Sequence, residues 1–306
     1  MKKSLVALAV LAASGAAFAQ SSVTLYGVVD VALFDSSAAG VTSQMSGSGA
    51  MNNGTSRFGF RGTEDLGGGL KANFNMEGGF NPETGAGNLS GGNLFSRAAN
   101  MSLSGNFGSV RLGRGLTPSF YGVAAWELTG TANYSVVASQ FGFAGADSRN
   151  SSEFSYTTPN MGGFSGTLGY IAKADNGGKA KTDANLIYAT GPIAVGLSYN
   201  KIQGQGKSAA LGGKYNFGTF QVAASFQDPV GFKKGFTVGG SATLGPVVLT
   251  VDVARNTGTS LTEGKSTDSL IEAKYALSKR TFAYGAIQRD GSASVTAYGL
   301  GIRHNF

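Results

Sequence analysis

Apolar and polar residues alternate one by one along most of this chain, in segments of about ten residues. In the first segment Val23, Leu25, Val29, Val31 and Leu33 share one face, and Thr24, Tyr26 and Asp30 share the other. Further on, Leu70, Ala72, Phe74 and Met76 oppose Lys71, Asn73, Asn75 and Glu77. The pattern returns at Phe164, Leu168 and Tyr170, at Ile193, Val195, Leu197 and Tyr199, at Phe220, Val222, Ala224 and Phe226, and at Leu249, Val251 and Val253. Successive strand residues point to opposite sides, so each segment is predicted to be a β-strand with one apolar and one polar face.

The connections alternate too. Short turns rich in Gly, Pro or Asn fall at Glu64 to Gly69, Ser104 to Gly108, Thr158 to Gly163, Gly191-Pro192, Asn216 to Thr219, Gly245-Pro246 and Leu277 to Arg280. Longer polar loops fall between them, and the longest by far runs from Thr117 to Ser148. This rhythm predicts an antiparallel meander of about sixteen strands with both termini on the short-turn side. Tyr156, Phe164, Tyr188, Phe217, Phe220 and Phe282 flank the short turns, where a membrane-interface girdle of aromatic rings would stand.

Composition turns the meander into a membrane barrel. Charged residues make up 13% of the chain, against roughly 25% in ordinary globular domains. Cysteine is absent, so no disulfide or thiolate metal site holds the fold together. No segment after the N-terminus is apolar enough for a membrane helix, and only a closed barrel otherwise satisfies a backbone in lipid. A soluble β-sandwich would share the alternation; the even meander, the short-long rhythm and the scarcity of charge favour the barrel. Ahead of it, Lys2 and Lys3, the apolar run from Leu5 to Ala13 and the small-residue pattern Ala17-Phe18-Ala19 read as a secretory signal. The expected organisation is a signal peptide over 1–19, cleaved after Ala19, and a transmembrane barrel over 20–306. Losing Lys2 and Lys3 takes the net charge from +7 to +5.

Four stretches carry a family resemblance: Ser22-Val-Thr-Leu-Tyr-Gly-Val28, Ser56-Arg-Phe-Gly-Phe-Arg-Gly-Thr-Glu-Asp-Leu-Gly-Gly-Gly-Leu70, Leu112-Gly-Arg-Gly-Leu-Thr-Pro118 and Gly301-Ile-Arg-His-Asn-Phe306. Together they resemble the general diffusion porins of Gram-negative bacteria, particularly those of β-proteobacteria. The resemblance spans the whole chain. It implies an outer-membrane homotrimer of sixteen-stranded barrels, each narrowed by its third extracellular loop folding into the lumen. It implies passive passage of small hydrophilic solutes and ions, with anions often favoured, and no cofactor. Implied partners are outer-membrane lipid, lipopolysaccharide and the barrel-assembly machinery. The alternating tail Tyr298, Leu300, Ile302, His304 and Phe306 matches the family's assembly signal.

Fixed charge at the narrowest point of a pore decides which ions enter. Arg57 and Arg61 lie opposite Phe58 and Phe60 and so face the lumen if the rings meet lipid. The family positions for a cationic constriction fall on Arg57, Arg97 and Arg149. Arg97 shares its strand face with the apolar Phe95, Ala99, Met101 and Leu103. The expectation is therefore that the third loop covers this face from inside, leaving Ala98, Asn100 and Ser102 to point outward. Glu127, beside the sole tryptophan Trp126, and Asp147 are the loop acids expected across from the arginines. The family's Pro-Glu-Phe-Gly type of loop tip is absent. Glu77 faces inward by parity and resembles the family's wall carboxylate. Lys71, Lys173, Lys201, Lys214 and Lys274 are read as further lumen cations.

Other classes fit less well. A hydrolase at the long-loop rim needs a general base, and the single histidine, His304, lies at the opposite end. The run from Gly258 to Gly264-Lys265-Ser266 has five residues between its glycines where a phosphate loop has four. Metal binding is unsupported, and the basic residues are dispersed rather than gathered as nucleic-acid binding requires. A substrate-selective channel or a receptor or adhesin barrel stays compatible with the sequence.

Overall fold

A computed structural model describes residues 22–88, 92–230, 234–258 and 264–306; the expected signal segment lies outside them, as do residues 259–263 of the phosphate-loop-like run. Sixteen long strands form the wall. The first six are β1 (Ser22–Ser36), β2 (Arg57–Gly67), β3 (Leu70–Phe80), β4 (Ala98–Gly105), β5 (Gly108–Leu116) and β6 (Arg149–Thr157). Next come β7 (Phe164–Ile171), β8 (Lys181–Thr190), β9 (Ile193–Ile202), β10 (Lys207–Asn216) and β11 (Phe220–Asp228). The last five are β12 (Gly235–Leu244), β13 (Val247–Asn256), β14 (Ser266–Ala276), β15 (Thr281–Asp290) and β16 (Val295–Asn305). Two short strands, Gln44–Ser46 and Gly87–Asn88, extend the edges of β1 and β3 in the loops.

Each strand pairs antiparallel with the next, and β1 pairs with β16 from Val28↔Asn305 to Ser36↔Ala297. The seam runs to the last residue: Gly27 and Phe306 exchange both backbone hydrogen bonds, each at 3.0 Å. The sheet therefore closes without a free edge, as a lipid-embedded sheet must.

The apolar faces read from sequence are the exposed outer ones. Leu25, Leu168, Leu197, Phe226 and Val251 all stand open on the barrel exterior, a cost in water that vanishes in hydrocarbon. Tyr156, Phe164, Phe217 and Phe220 stand there too, near the short turns, with Tyr188 against Phe164 at 4.5 Å. Phe282 departs from this girdle. It lies on the inner face beside Tyr284, with the Arg303 guanidinium 5.9 Å from its ring centre.

The third loop, between β5 and β6, supplies the core. Thr117 caps helix α1 (Pro118–Ala124) by accepting from the Phe120 amide at 3.0 Å, and Pro118 opens the helix where no backbone donor is needed. Ser135 caps α2 (Val136–Phe141). Helix α1 lies against β8, β9 and β10, and α2 against β13 and β14. Between loop and wall sit two apolar clusters, one around Tyr134, Phe141 and Leu270, the other around Val123, Trp126 and Ala210. The Trp126 indole occupies a slot over Gly212, where a Cβ would strike the ring.

The loop's polar groups are tied to the wall's polar face. Ser119 donates from its amide and hydroxyl to Asp183 at 2.8 and 2.6 Å. The Tyr134 hydroxyl donates to Glu272 at 2.5 Å and accepts from Asn53 at 2.7 Å. Burial, reinforced by the Glu272 charge, holds the Tyr134 hydroxyl far above the usual tyrosine range, so it remains a donor.

Candidate functional site

With the loop helices resting on β8 to β10 and on β13 and β14, the passage runs along β2 to β6 and β16. A cavity of about 820 Å³ lies there, bordered by Arg57, Arg97, Arg111, Arg149 and Arg303, with Glu77 as the one carboxylate among its described lining residues. Arg57 and Arg149 are the first residues of β2 and β6, and Arg97 immediately precedes β4. Three strand entrances at the long-loop end thus bring three guanidinium groups together.

Their positions are fixed by oxygen acceptors. Arg97 Nε donates to Glu77 Oε1 at 2.7 Å, and Arg57 Nε lies 3.6 Å from Oε2 of the same carboxylate. Arg149 Nε donates to the Arg97 carbonyl at 2.9 Å and its Nη1 to Ser148 Oγ at 3.1 Å. Arg57 Nη1 reaches the Thr55 carbonyl at 3.0 Å. Glu77 accepts from Tyr26 at 3.0 Å as well. One carboxylate serves two arginines, so the cluster keeps an excess of positive charge.

The structure brings Arg57, Arg97, Arg149 and Glu77 together and corrects the account of how Arg97 gets there. Met101 and Leu103 are 59% and 45% exposed on the barrel exterior, while Ala98, Asn100 and Ser102 border interior cavities. Strand β4 therefore has the ordinary polarity, not the inverted one expected from Arg97. Pairing in β4 starts at Ala98↔Glu77, and Arg97 lies before it, held by its amide on the Glu77 carbonyl at 3.1 Å. The pleat does not constrain its side chain.

Arg61 faces inward four residues further along β2, about 13 Å toward the short turns. It stacks at 5.0 Å over Tyr26 and borders a separate cavity of about 290 Å³. Asp147 is exposed and borders a cavity of about 400 Å³ with Arg97, Arg114 and Arg149, so it stands beside the arginines rather than across from them. Glu127 is a correction: it is 4% exposed and bound by Thr129 Oγ1, Ser135 Oγ and the Thr131 amide. It braces the loop and does not border the cavity. Lys214 and Lys274 belong to the inner face, with Lys274 on the Thr129 carbonyl at 2.7 Å. Lys173 lies in a short turn of the loop after β7, and Lys201 shares the outward side of β9 with Leu197.

Three contributions escaped the sequence reading. Arg303 alternates with the outward Ile302 and His304, so its inward direction was legible in the tail; Asn53 holds it at 2.7 Å. Arg111 donates to the buried Glu153 at 2.6 Å. The first loop, read as plain polar connection, also folds inward. Asp30, fully buried on β1, accepts from Tyr284 Oη at 2.6 Å, Asn52 Nδ2 at 2.9 Å and the Gly54 amide at 2.9 Å. Ser48 to Ala50 and Asn53 to Thr55 thereby become part of the cavity rim.

Residues 4–294 match the Gram-negative porin family. The chain belongs to that family. This porin is 43% identical over 249 residues to the outer membrane porin protein 32 of Delftia acidovorans, covering 74% of this chain and 69% of that one. It is 31% identical to an outer membrane porin protein of Bordetella pertussis, across the full length of both. Among solved structures, the anion-selective porin from Comamonas acidovorans superposes with a TM-score of 0.75 at 30% identity, covering 94% of this chain and 100% of that one. The porin is thus an outer-membrane channel for passive diffusion and not an enzyme.

Proposed function

We propose that this porin conducts small anions in preference to cations, with Arg57, Arg97 and Arg149 setting the preference and Glu77 holding two of them in place. The observation that carries the reading is the charge of the main cavity, five arginines against one carboxylate among the described lining residues. The loop side of this cavity contributes uncharged groups such as Tyr121, Thr131, Asn133 and Ser139, and the loop acid Asp147 borders the neighbouring cavity beside Arg97 and Arg149 instead. The anion-selective porin from Comamonas acidovorans, similar over nearly all of the chain, supports the same sign.

The reading includes export by a signal cleaved after Ala19 and assembly as a homotrimer in contact with lipopolysaccharide. It also includes recognition by the barrel-assembly machinery through the tail. Tyr298, Leu300, Ile302 and Phe306 share one exposed outer face, which supports that recognition; His304 keeps to Thr281 at 2.8 Å.

Planar-bilayer recording under a salt gradient tests the charge assignment. A reversal potential of the sign for anion flow is expected. Arg57→Ala and Arg149→Ala should each lower the anion-to-cation permeability ratio about threefold, the effect of roughly half a kT of local potential acting with opposite sign on the two ions. Lys207→Ala, at the exposed start of β10, should leave the ratio within error, since screening confines it to about 8 Å. Cation selectivity of the unaltered channel refutes the proposal.

A further inference from the structure

Loop three divides its aromatic rings into two sets. Trp126, Tyr134 and Phe141 are sealed against the wall, whereas Phe120, Tyr121 and Phe143 border the main cavity. The Phe120 ring meets Phe143 at 4.6 Å and Tyr121 edge-on at 5.8 Å, which joins the three into one shelf. Tyr121 remains 43% exposed. Rings left beside a water-filled passage forgo the burial that their three sisters obtain, and they offer an apolar surface to whatever passes.

Two chemistries therefore border one space. The guanidinium groups of Arg57, Arg97 and Arg149 favour a carboxylate, and the shelf favours a flat apolar body. A cavity of about 820 Å³ holds a single-ring acid together with water. We propose that the constriction contains a subsite for small organic anions bearing an aromatic ring, the carboxylate on the arginines and the ring on the Tyr121, Phe120 and Phe143 shelf. The inference rests on the anion preference proposed above and assigns to it a class of solute. Binding is weak, since a passage must also release what it holds.

The test is block of the potassium chloride current through the reconstituted full-length channel by benzoate, acetate and benzylammonium. Benzoate should reduce the current at millimolar concentrations at which acetate and benzylammonium do not. Tyr121→Ala should raise the half-blocking benzoate concentration about five- to tenfold, the effect of losing one ring contact. Tyr121→Phe should retain the block, which separates ring contact from any loss of loop structure. Equal block by benzoate and acetate overturns the subsite, as does equal block by benzylammonium or an unaltered benzoate block in Tyr121→Ala. The reversal potential of the same channels tells the two failures apart. With anion selectivity intact only the subsite falls; with cation selectivity both readings fall.

Discussion

Gly212 shows how much of the constriction depends on an atom that is missing. A Cβ there would strike the Trp126 indole, so the slot that seats loop three exists because the wall has no side chain at that point. Gly212→Ala should lift the indole and lower stability by roughly 1–3 kcal/mol, the usual range for overfilling a packed site. Trp126 is the sole tryptophan, so its fluorescence reports on the loop directly. A red-shifted emission maximum in the folded variant is expected, and an unshifted one would mean that the slot does not position the ring. Sequence exposes little of this. Alternation assigns faces only within strands, and Glu127 in the loop reads as a pore charge although Thr129, Thr131 and Ser135 consume its oxygens. Arg303 was legible by the same alternation that placed the tail outside.

At the level of whole strands, the period-two pattern marked six of the wall elements and the short-long rhythm of connections predicted about sixteen, because lipid outside and water inside impose that pattern on a membrane barrel. It misled at Lys201, read as a lumen cation but outward on β9, and at Arg97, where the strand had not begun. Taking Arg97 as part of β4 inverts Met101 and Leu103, while the hydrogen-bonded register starts one residue later. Met101→Arg, outward at the middle of the strand, should therefore cost about 2–4 kcal/mol, the midplane figure, seen as a lower denaturant midpoint in lipid vesicles. Ser102→Arg, one residue away on the inner face, should fold close to normally. The reverse ranking would restore the inverted strand. The inward fold of the first loop was illegible for another reason. Its glycine-rich composition suits exposure equally well, and the decision lies with Asp30 on the wall, which binds Asn52 and Gly54 of the loop together with the distant Tyr284.

For the molecule as a whole, loop three makes a symmetric cylinder asymmetric. It rests on the β8 to β14 side and leaves the arginine side open, which concentrates fixed charge along one wall of the passage. The wall itself depends on the seam. At Gly27 an added Cβ would meet the Phe306 ring and the Arg57 carbonyl, so Gly27→Val should open the closure at the short-turn end. The expected result is a smaller heat-modifiable fraction in gel-shift assays of refolded protein; an undiminished fraction would show that β1 and β16 pair without this contact. The seam also sets an order of events. Its partners stand at opposite ends of the polypeptide, so a barrel cannot close while its last strand is still unmade. Every earlier strand must leave the cytoplasm with its edges open, and such edges pair readily with foreign ones. Contacts between distant parts of a chain also form slowly. The hydrogen bonds that leave the finished wall without an edge thus require that the unfinished chain be shielded from its neighbours throughout its transit.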